Sequence, residues 1–189
     1  MKRGTKQINT LIIGGARSGK SDYAQKIAAE SGRKVLFVAT AEAGDEEMQQ
    51  RIEKHRQSRP SSWTTLETAT GVGKEILEKG VDAELIIVDC ITMLVNNVFS
   101  KFDYKDNSEL DNTSIEKVTI SEINQLTECF HHLNADFIIV TNEVGMDLVP
   151  ANKMGRLYRD ILGKANQLLA EQVDEVYLLV AGIPVKIKP

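Results

Sequence analysis

The amino-acid sequence predicts an α/β protein with a mostly parallel β-sheet and helices on both faces. Short β-branched runs alternate with longer amphipathic stretches along the 189 residues, which is the pattern of right-handed βαβ units. Several runs are apolar at consecutive positions, as expected of strands that are covered on both sides. The predicted strands are Ile8–Ile13, Val35–Ala39, Leu85–Asp89, Phe137–Thr141 and Glu175–Val180.

The stretches between these strands carry apolar residues at helical spacing, and they predict the helices of the fold. The polar segment at residues 100–114 is too long and hydrophilic for a tight connection, so we expect an exposed loop or a short excursion there. The chain length favours a single domain over residues 1–189, with residues 1–7 as an N-terminal extension. The predicted helices are Lys20–Glu30, Asp45–Gln57, Gly73–Lys79, Ile115–Leu133 and Met154–Gln172.

Composition narrows the classes of partner. With 27 acidic and 23 basic side chains the net charge is −4, which argues against a nucleic-acid or anionic-membrane partner. No run has the length of a membrane span or the form of a signal peptide, so we expect a cytoplasmic protein.

Cys90 and Cys129 lack zinc-ligand spacing and are predicted to be buried thiols. His131 and His132 end a predicted helix without other ligand residues and are predicted to be solvated.

The strongest chemical signal is the segment Gly14–Ser21. Its sequence, GGARSGKS, fits the phosphate-binding pattern G-x-x-x-x-G-K-[ST], follows an apolar strand and opens a helix. Glycines let successive backbone N–H groups face phosphate oxygens, and the helix N-terminus adds a partial positive charge. A glycine-rich turn that binds nothing is the alternative. The predicted phosphate loop, hereafter the P-loop, consists of Gly14, Gly15, Ala16, Arg17, Ser18, Gly19, Lys20 and Ser21.

Two P-loop side chains and one distant carboxylate are predicted to act together. Lys20 is expected to reach the β- and γ-phosphates of a nucleotide, and the Ser21 hydroxyl to ligate Mg²⁺. Asp89 ends an apolar strand, and the carboxyl ends of parallel strands form the ligand-binding edge of such sheets. We therefore predict Asp89 as a second magnesium ligand, the alternative being that it only caps the following turn.

The segment Asp45–Pro60 (DEEMQQRIEKHRQSRP) contains a histidine in a basic helix. His55 stands at helical spacing from Met48 and Ile52, so we expect it on the face that the apolar residues anchor. Like charge around an imidazole favours its neutral, nucleophilic form, and guanidiniums bind phosphate oxygens. The segment therefore predicts a triphosphate site with one candidate nucleophile. The surrounding guanidiniums are those of Arg51, Arg56 and Arg59.

Taken together, these motifs resemble those of the adenosylcobinamide kinase/adenosylcobinamide-phosphate guanylyltransferase family. Many families share a P-loop, whereas R-I-x-x-H-x-x-x-R-P at Arg51–Pro60 and T-N-E-V-G at Thr141–Gly145 are much more specific. The likeness extends from Ile8 to Lys188 and includes the segments VATA, VDCIT and AGIPVKIK.

The resemblance implies a RecA-like P-loop NTPase fold, magnesium, and two successive reactions on a corrinoid substrate. ATP or GTP would phosphorylate adenosylcobinamide, and GTP would then transfer GMP through a guanylylated His55 to give adenosylcobinamide-GDP. The family also implies a homo-oligomer, with a trimer as the expected form. Besides the P-loop, the implied nucleotide contacts are Ala39, Thr40, Ala41, Arg56, Gln57, Ser58, Arg59, Glu67 and Asp89.

Two other functions fit the P-loop, namely a RecA-like ATPase module that drives motion on a partner and a small-molecule kinase without a covalent step. The aromatic content of 5% offers few base-stacking platforms for nucleic acid. His55 discriminates between the functions, because only a guanylyltransferase needs a histidine nucleophile among arginines. Asn142 and Glu143 either orient substrate or metal, or hold adjacent loops.

Overall fold

A computed structural model describes residues 7–42, 44, 46–57, 59–102 and 112–188, without the side chains of residues 47, 48, 51 and 112. Strands and helices alternate over most of this length, as predicted. The elements are β1 (Asn9–Gly14), α1 (Lys20–Glu30), β2 (Val35–Ala39), α2 (Glu46–Gln57), β3 (Thr64–Glu67), α3 (Val72–Lys79), β4 (Leu85–Asp89), α4 (Ile91–Ser100), α5 (Asn112–His132), β5 (Asp136–Asn142), α6 (Lys153–Gln172), β6 (Glu175–Val180) and β7 (Ile183–Lys188).

All the strands join one seven-stranded sheet in the order β3-β2-β4-β5-β1-β6-β7. The pairings are parallel except that of β6 with β7, which is antiparallel. The predicted mostly parallel α/β fold is therefore confirmed. Strand β5 lies between β1, which leads into the P-loop, and β4, which ends at Asp89.

The two faces of the sheet have separate cores because successive strand residues point to opposite sides. In β4, Ile86 and Val88 join one core whereas Leu85 and Ile87 join the other. The first core is covered by α3, α4, α5 and α6, and the second receives buried residues from α1. Helices thus cover both faces, as predicted, but unequally.

The sequence patterns missed β3, α4 and β7. In β3 only Leu66 is buried, so its four residues carry no alternation. Helix α4 (ITMLVNNVFS) is buried at seven of its ten positions, and a short apolar run of this kind cannot be assigned to a helix from its pattern alone. Strand β7 is exposed at nearly every position, so burial left no mark on its sequence.

The expectation of an exposed loop at residues 100–114 was wrong at both ends. Ser100 is the last residue of α4, and α5 already begins at Asn112. Residues 103–111 and 1–6 lie outside the described residues, and with them most of the predicted loop and of the N-terminal extension.

The predictions for cysteines and for the paired histidines hold. Cys129 is buried, Cys90 is partly buried, and both are free thiols. His131 and His132 are exposed at the end of α5. Within the described part of the chain, none of the helices combines the length and apolarity that crossing a bilayer requires.

Helix α3 begins with a cap from another helix. Its N-cap residue is Gly71, which has no side chain to accept the first free N–H groups. Glu122 of α5, 9% exposed, accepts hydrogen bonds from the backbone nitrogens of Gly71 at 2.8 and 2.9 Å and of Val72 at 3.3 Å. The carboxylate also complements the positive end of the helix dipole, so Glu122 ties α5 to α3.

We predict that Glu122→Ala lowers the free energy of unfolding by about 2 kcal/mol, because it leaves buried N–H groups of α3 unsatisfied. Urea titration followed by circular dichroism measures the change. Glu128→Ala, on the exposed side of the same helix, is the matched control and should have an effect within about 0.5 kcal/mol. Equal losses in the two variants would mean that the cap contributes nothing.

Candidate active site

The predicted site residues meet at the carboxyl edge of the sheet. Because β1, β2, β3, β4 and β5 are parallel, their last residues lie along one edge. This edge carries the P-loop after β1, Thr40 after β2, Glu67 at the end of β3 and Asp89 at the end of β4. The sequence placed these residues up to 75 positions apart, as Gly14 and Asp89 are.

The P-loop joins β1 directly to the first turn of α1. Gly19 has φ of 90°, a left-handed conformation that favours glycine. A Cβ on Gly14 would lie 2.5 Å from the backbone oxygen of Leu179 in β6, so the loop can approach this strand only with glycine there. Lys20 is 7% exposed, and its amine donates to the backbone oxygen of Gly15 at 2.6 Å. Lys20 is thus held beside the P-loop, where it is predicted to bind phosphates.

The Asp89 carboxylate links the P-loop to the histidine segment. Burial raises the pKa of this carboxyl above its usual range. A hydrogen bond from the Ser21 hydroxyl opposes the rise, as do electrostatic interactions with His55, Arg59 and Lys20. The other predicted magnesium ligand, Ser21, therefore interacts with the same carboxylate as the predicted nucleophile and the P-loop lysine.

Arg59 brings to this cluster buried hydrogen-bond donors without acceptors in the described part of the chain. Its guanidinium lies 3.9 Å from the centre of the Phe37 ring, which in turn stacks on Trp63 at 6.4 Å. Its Nε and Nη1 atoms are buried and find no hydrogen-bond partner among the described residues, and burial lowers the pKa of the group. Buried donors normally have acceptors, so the arrangement suits an anionic ligand such as phosphate.

Helix α2 carries His55 near its C-terminal end. Ile52 and His55 are both partly buried while Lys54 is exposed, as predicted for one anchored face. The side chains of Met48 and Arg51, which the prediction also used, lie outside the described residues, as does the whole of Ser58.

Two other predicted nucleotide-binding residues at the end of α2 interact with side chains of this chain. Arg56 forms an exposed ion pair with Glu67 at 3.9 Å, and the Gln57 amide donates to Glu53 at 3.0 Å. These groups stand at the rim of the site, where ion pairs are weak and easily exchanged for a ligand.

Hydrogen bonds with Cys90 and Asn97 hold Thr40 at the end of β2, and the sequence did not predict these contacts. The Thr40 hydroxyl donates to the backbone oxygen of Cys90 at 2.7 Å and accepts from its nitrogen at 2.8 Å. The Asn97 amide donates to the oxygens of Thr40 at 2.7 Å and Ala69 at 3.0 Å. An asparagine inside the apolar run of α4 was the available signal, since a buried amide needs partners.

The end of β5 separates the two alternatives for Asn142 and Glu143. The Glu143 carboxylate accepts from the nitrogens of Gly145 at 2.8 Å and Met146 at 2.9 Å, so it holds its own loop. Its backbone nitrogen donates to the Gly14 oxygen at 2.9 Å, which fixes this loop beside the P-loop. Asn142 is tied through its backbone, its oxygen accepting from Asn166 at 3.0 Å.

The Ser21 hydroxyl and the Asp89 carboxylate give the site two hard oxygen donors. Among residues that the structure describes, none of the groupings of His, Cys, Asp and Glu has the three members that a protein-only metal centre needs. A hydroxyl and a carboxylate are the hard oxygen ligands that Mg²⁺ takes when phosphates and water complete its shell. Burial, with the nearby Asp89 charge, raises the pKa of the Cys90 thiol to about 11, so it stays protonated at neutral pH and is a poor competitor to His55 as nucleophile.

Comparison with known proteins gives matches that cover almost the whole chain. Residues 10–187 match the family described as cobinamide kinase/cobinamide phosphate guanyltransferase. The bifunctional adenosylcobalamin biosynthesis protein CobU of Escherichia coli K12 is 41% identical, over 94% of this chain and 98% of that protein. Its Salmonella typhimurium counterpart is 39% identical over 94% and 98%. The Pseudomonas aeruginosa protein CobP is 38% identical over 96% and 98%.

Among solved structures, the RadB recombinase is similar over 90% of this chain and 73% of its own, with a TM-score of 0.48 and 17% identity. That likeness is too distant to bear on function. The family match and the three relatives, by contrast, each cover nearly the full chain. The chain therefore belongs to the cobinamide kinase/cobinamide phosphate guanyltransferase family.

Proposed function

We propose that this chain catalyses both reactions of its family, phosphorylation of adenosylcobinamide and guanylyl transfer to the phosphate so formed. The observation that carries the proposal is the convergence on Asp89 of side chains from the P-loop and from the His55–Arg59 segment. A triphosphate cradle and a candidate nucleophile thereby share one edge of the sheet. A single domain would serve both reactions.

In the first reaction, the hydroxyl oxygen of adenosylcobinamide attacks the γ-phosphorus of ATP or GTP, and the nucleoside diphosphate leaves. Phosphoryl transfer asks the protein mainly for positioning and charge neutralisation. We assign the positioning to the backbone N–H groups of Gly14–Ser21 and the neutralisation to Lys20. The burial of Lys20 beside the loop supports this assignment.

Mg²⁺ would be held by the Ser21 hydroxyl and the Asp89 carboxylate, which already share a hydrogen bond. When bound, the ion neutralises charge on the triphosphate. The raised pKa of Asp89 fits this role, because a buried carboxylate without a cation is costly and a divalent ion offsets that cost.

In the second reaction, an imidazole nitrogen of His55 attacks the α-phosphorus of GTP and pyrophosphate leaves. A phosphate oxygen of adenosylcobinamide phosphate then attacks the same phosphorus, which releases His55 and gives adenosylcobinamide-GDP. Arg59 would bind phosphate oxygens during both steps, since its buried N–H groups need acceptors. Covalent catalysis divides one difficult displacement into two easier ones.

Further nucleotide contacts are proposed at the ends of β2 and β3 and after α2. Thr40 is buried, with its hydroxyl hydrogen-bonded to Cys90, its N–H to Asp89 and its carbonyl to Asn97. It would therefore take part by fixing the backbone of its neighbours Ala39 and Ala41 for the nucleotide. Arg56 and Glu67 would open their ion pair to admit the ligand. The proposed set is Ala39, Thr40, Ala41, Arg56, Gln57, Ser58, Arg59 and Glu67.

We also propose a cytoplasmic homo-oligomer, with a trimer as the form that family likeness suggests. The relatives are bacterial biosynthetic proteins, which supports the location. Strand β7 presents Ile183, Val185 and Ile187 to solvent, and exposed apolar edge strands are normally covered in assemblies. The corrinoid would be the partner molecule, with no nucleic acid involved.

We predict that Lys20→Ala reduces kcat of both reactions roughly 100-fold or more, because the variant lacks the ammonium that stabilises charge on the transferring phosphate. Steady-state assays of adenosylcobinamide phosphate and adenosylcobinamide-GDP formation measure the effect. Lys26→Ala, on the exposed side of α1, should behave as wild type. Wild-type rates in Lys20→Ala would remove the P-loop from the mechanism.

We predict that Asp89→Asn lowers magnesium-dependent turnover roughly 10- to 100-fold but weakens nucleotide binding far less, since the P-loop amides still hold the phosphates. Turnover is assayed over a range of Mg²⁺ concentrations and binding by calorimetry. Asp82→Asn, an exposed aspartate seven residues earlier, is the control. Equal losses of turnover and binding would identify Asp89 as a structural acid instead.

We predict that His55→Ala abolishes guanylyl transfer yet leaves measurable phosphorylation of adenosylcobinamide at saturating nucleotide. A covalent GMP step cannot proceed without its acceptor, whereas phosphoryl transfer needs no protein nucleophile. Intact mass after incubation with GTP and Mg²⁺ should show one added GMP in the wild type and in His132→Ala, an exposed histidine of α5.

The His55 experiment also separates the rival functions. A plain kinase or an ATPase module would form no GMP adduct in any variant. An adduct that survives in His55→Ala would place the nucleophile elsewhere. Loss of both activities in folded His55→Ala would show that the two reactions depend on one histidine.

A further inference from the structure

The turn between β6 and β7 lies directly against the P-loop. The Gly182 nitrogen donates a hydrogen bond to the backbone oxygen of Ser18 at 2.9 Å. A Cβ on Gly19 would lie 3.2 Å from the Gly182 Cα, so the two backbones are in close contact. The turn therefore reaches the phosphate loop from a part of the chain more than 160 residues away.

The conformation of this turn is fixed by its neighbours. Ala181 and Gly182 have φ values of 51° and 80°, as a two-residue hairpin turn with both central residues left-handed requires. The turn is closed by the pairing of Val180 with Ile183. Strand β6 is in turn paired with β1 up to Gly14, so the turn and the P-loop share one rigid support.

The hydrogen bond orients one peptide group of the P-loop. In a trans peptide the C=O and the N–H point in opposite directions. A donor on the outer side that holds the Ser18 oxygen therefore turns the Gly19 N–H away from the hairpin. Phosphate-binding loops work through N–H groups aimed together into the cradle, and Gly19 is the residue immediately before Lys20.

Burial of apolar side chains of β7 does not explain why the turn contacts the P-loop. Strand β7 buries little, since Ile183, Val185 and Ile187 are all exposed. Lys188 at its far end donates to the backbone oxygens of Ala170 at 2.7 Å and Val173 at 2.6 Å, so the strand is fastened at both ends. The fastening at the turn end is the Gly182–Ser18 bond.

We propose that the Ala181–Gly182 turn is a positioning element of the P-loop, with the Gly182 N–H setting the orientation of the Gly19 N–H for phosphate binding. The inference rests on the proposed function, because it concerns the same nucleotide site. It assigns a part in nucleotide binding to the C-terminal hairpin, which carries none of the side chains predicted from sequence.

The test compares two glycines in the same backbone state. Gly182 and Gly32 both have positive φ, 80° and 65°, and a Cβ added to either would meet no atom within 4 Å. Gly32 follows α1 at the end away from the P-loop. Valine at either position must strain or rearrange the backbone, so both variants lose thermal stability, but only one change lies beside the P-loop.

We expect Gly182→Val to raise the Kd of GDP about tenfold, in line with loss of one charge-assisted hydrogen bond, and Gly32→Val to leave it unchanged. Calorimetry with GDP and Mg²⁺ measures Kd, and thermal unfolding measures the shared loss of stability. The KM for adenosylcobinamide should not change in either variant. A Gly182→Val protein that binds GDP as tightly as Gly32→Val overturns the proposal.

Two further measurements separate failure of this proposal from failure of the nucleotide site or of folding. Lys20→Ala is titrated with GDP alongside, because unchanged affinity there would refute the nucleotide site itself, whatever Gly182→Val does. If Gly182→Val does not fold, the N–H is removed without strain by replacing the Ala181–Gly182 amide with an ester, using an acylated suppressor tRNA. The ester protein should show the same rise in Kd, and wild-type affinity in it overturns the proposal.

Discussion

The Asp89 carboxylate is the group on which the rest of the site depends. It ends a strand whose other four residues are buried, accepts a hydrogen bond from the Ser21 hydroxyl and interacts electrostatically with His55, Arg59 and Lys20. Burying a carboxylate is costly unless charge and hydrogen bonds compensate. The Ser21 hydrogen bond and the neighbouring charges offset part of that cost, and the groups that do so come from both the P-loop and the histidine segment.

The same cluster keeps unsatisfied capacity for a ligand. Arg59 is held by the Phe37 ring while its buried N–H groups lack acceptors among the described residues. Such a donor destabilises the free protein and gains most when an anion arrives. Fixing it in advance also lowers the entropy lost on binding. The position of Arg59 thus suits an anionic ligand such as phosphate.

The backbone around the site is held from several directions. Thr40 and Asn97 tie the ends of β2 and β4 together, and Glu143 fixes the loop after β5 beside Gly14. The hairpin at Gly182 supports the remaining side of the P-loop. Phosphoryl and nucleotidyl transfer depend on positioning within fractions of an ångström, and these contacts supply it from outside the reacting groups.

The sequence by itself determined the α/β class, the P-loop and the candidate residues Asp89 and His55, because local patterns encode them. Strand runs, helical spacing and the glycine pattern each involve residues close in the chain. It could not determine β3 or β7, whose burial is too slight to impose a pattern. It also missed α4, since a short and mostly buried apolar run does not by itself distinguish a helix from a strand.

Only the tertiary structure decided which groups meet. The electrostatic interaction of Asp89 with His55 and the hydrogen bonds of Glu122 with Gly71 and of Gly182 with Ser18 join residues that are far apart in sequence. Each depends on strand order, which follows from how whole elements bury their apolar faces and not from any local motif. For the same reason, the sequence could name Asp89 as an acid at a strand end, but only the order of the strands put it beside Ser21.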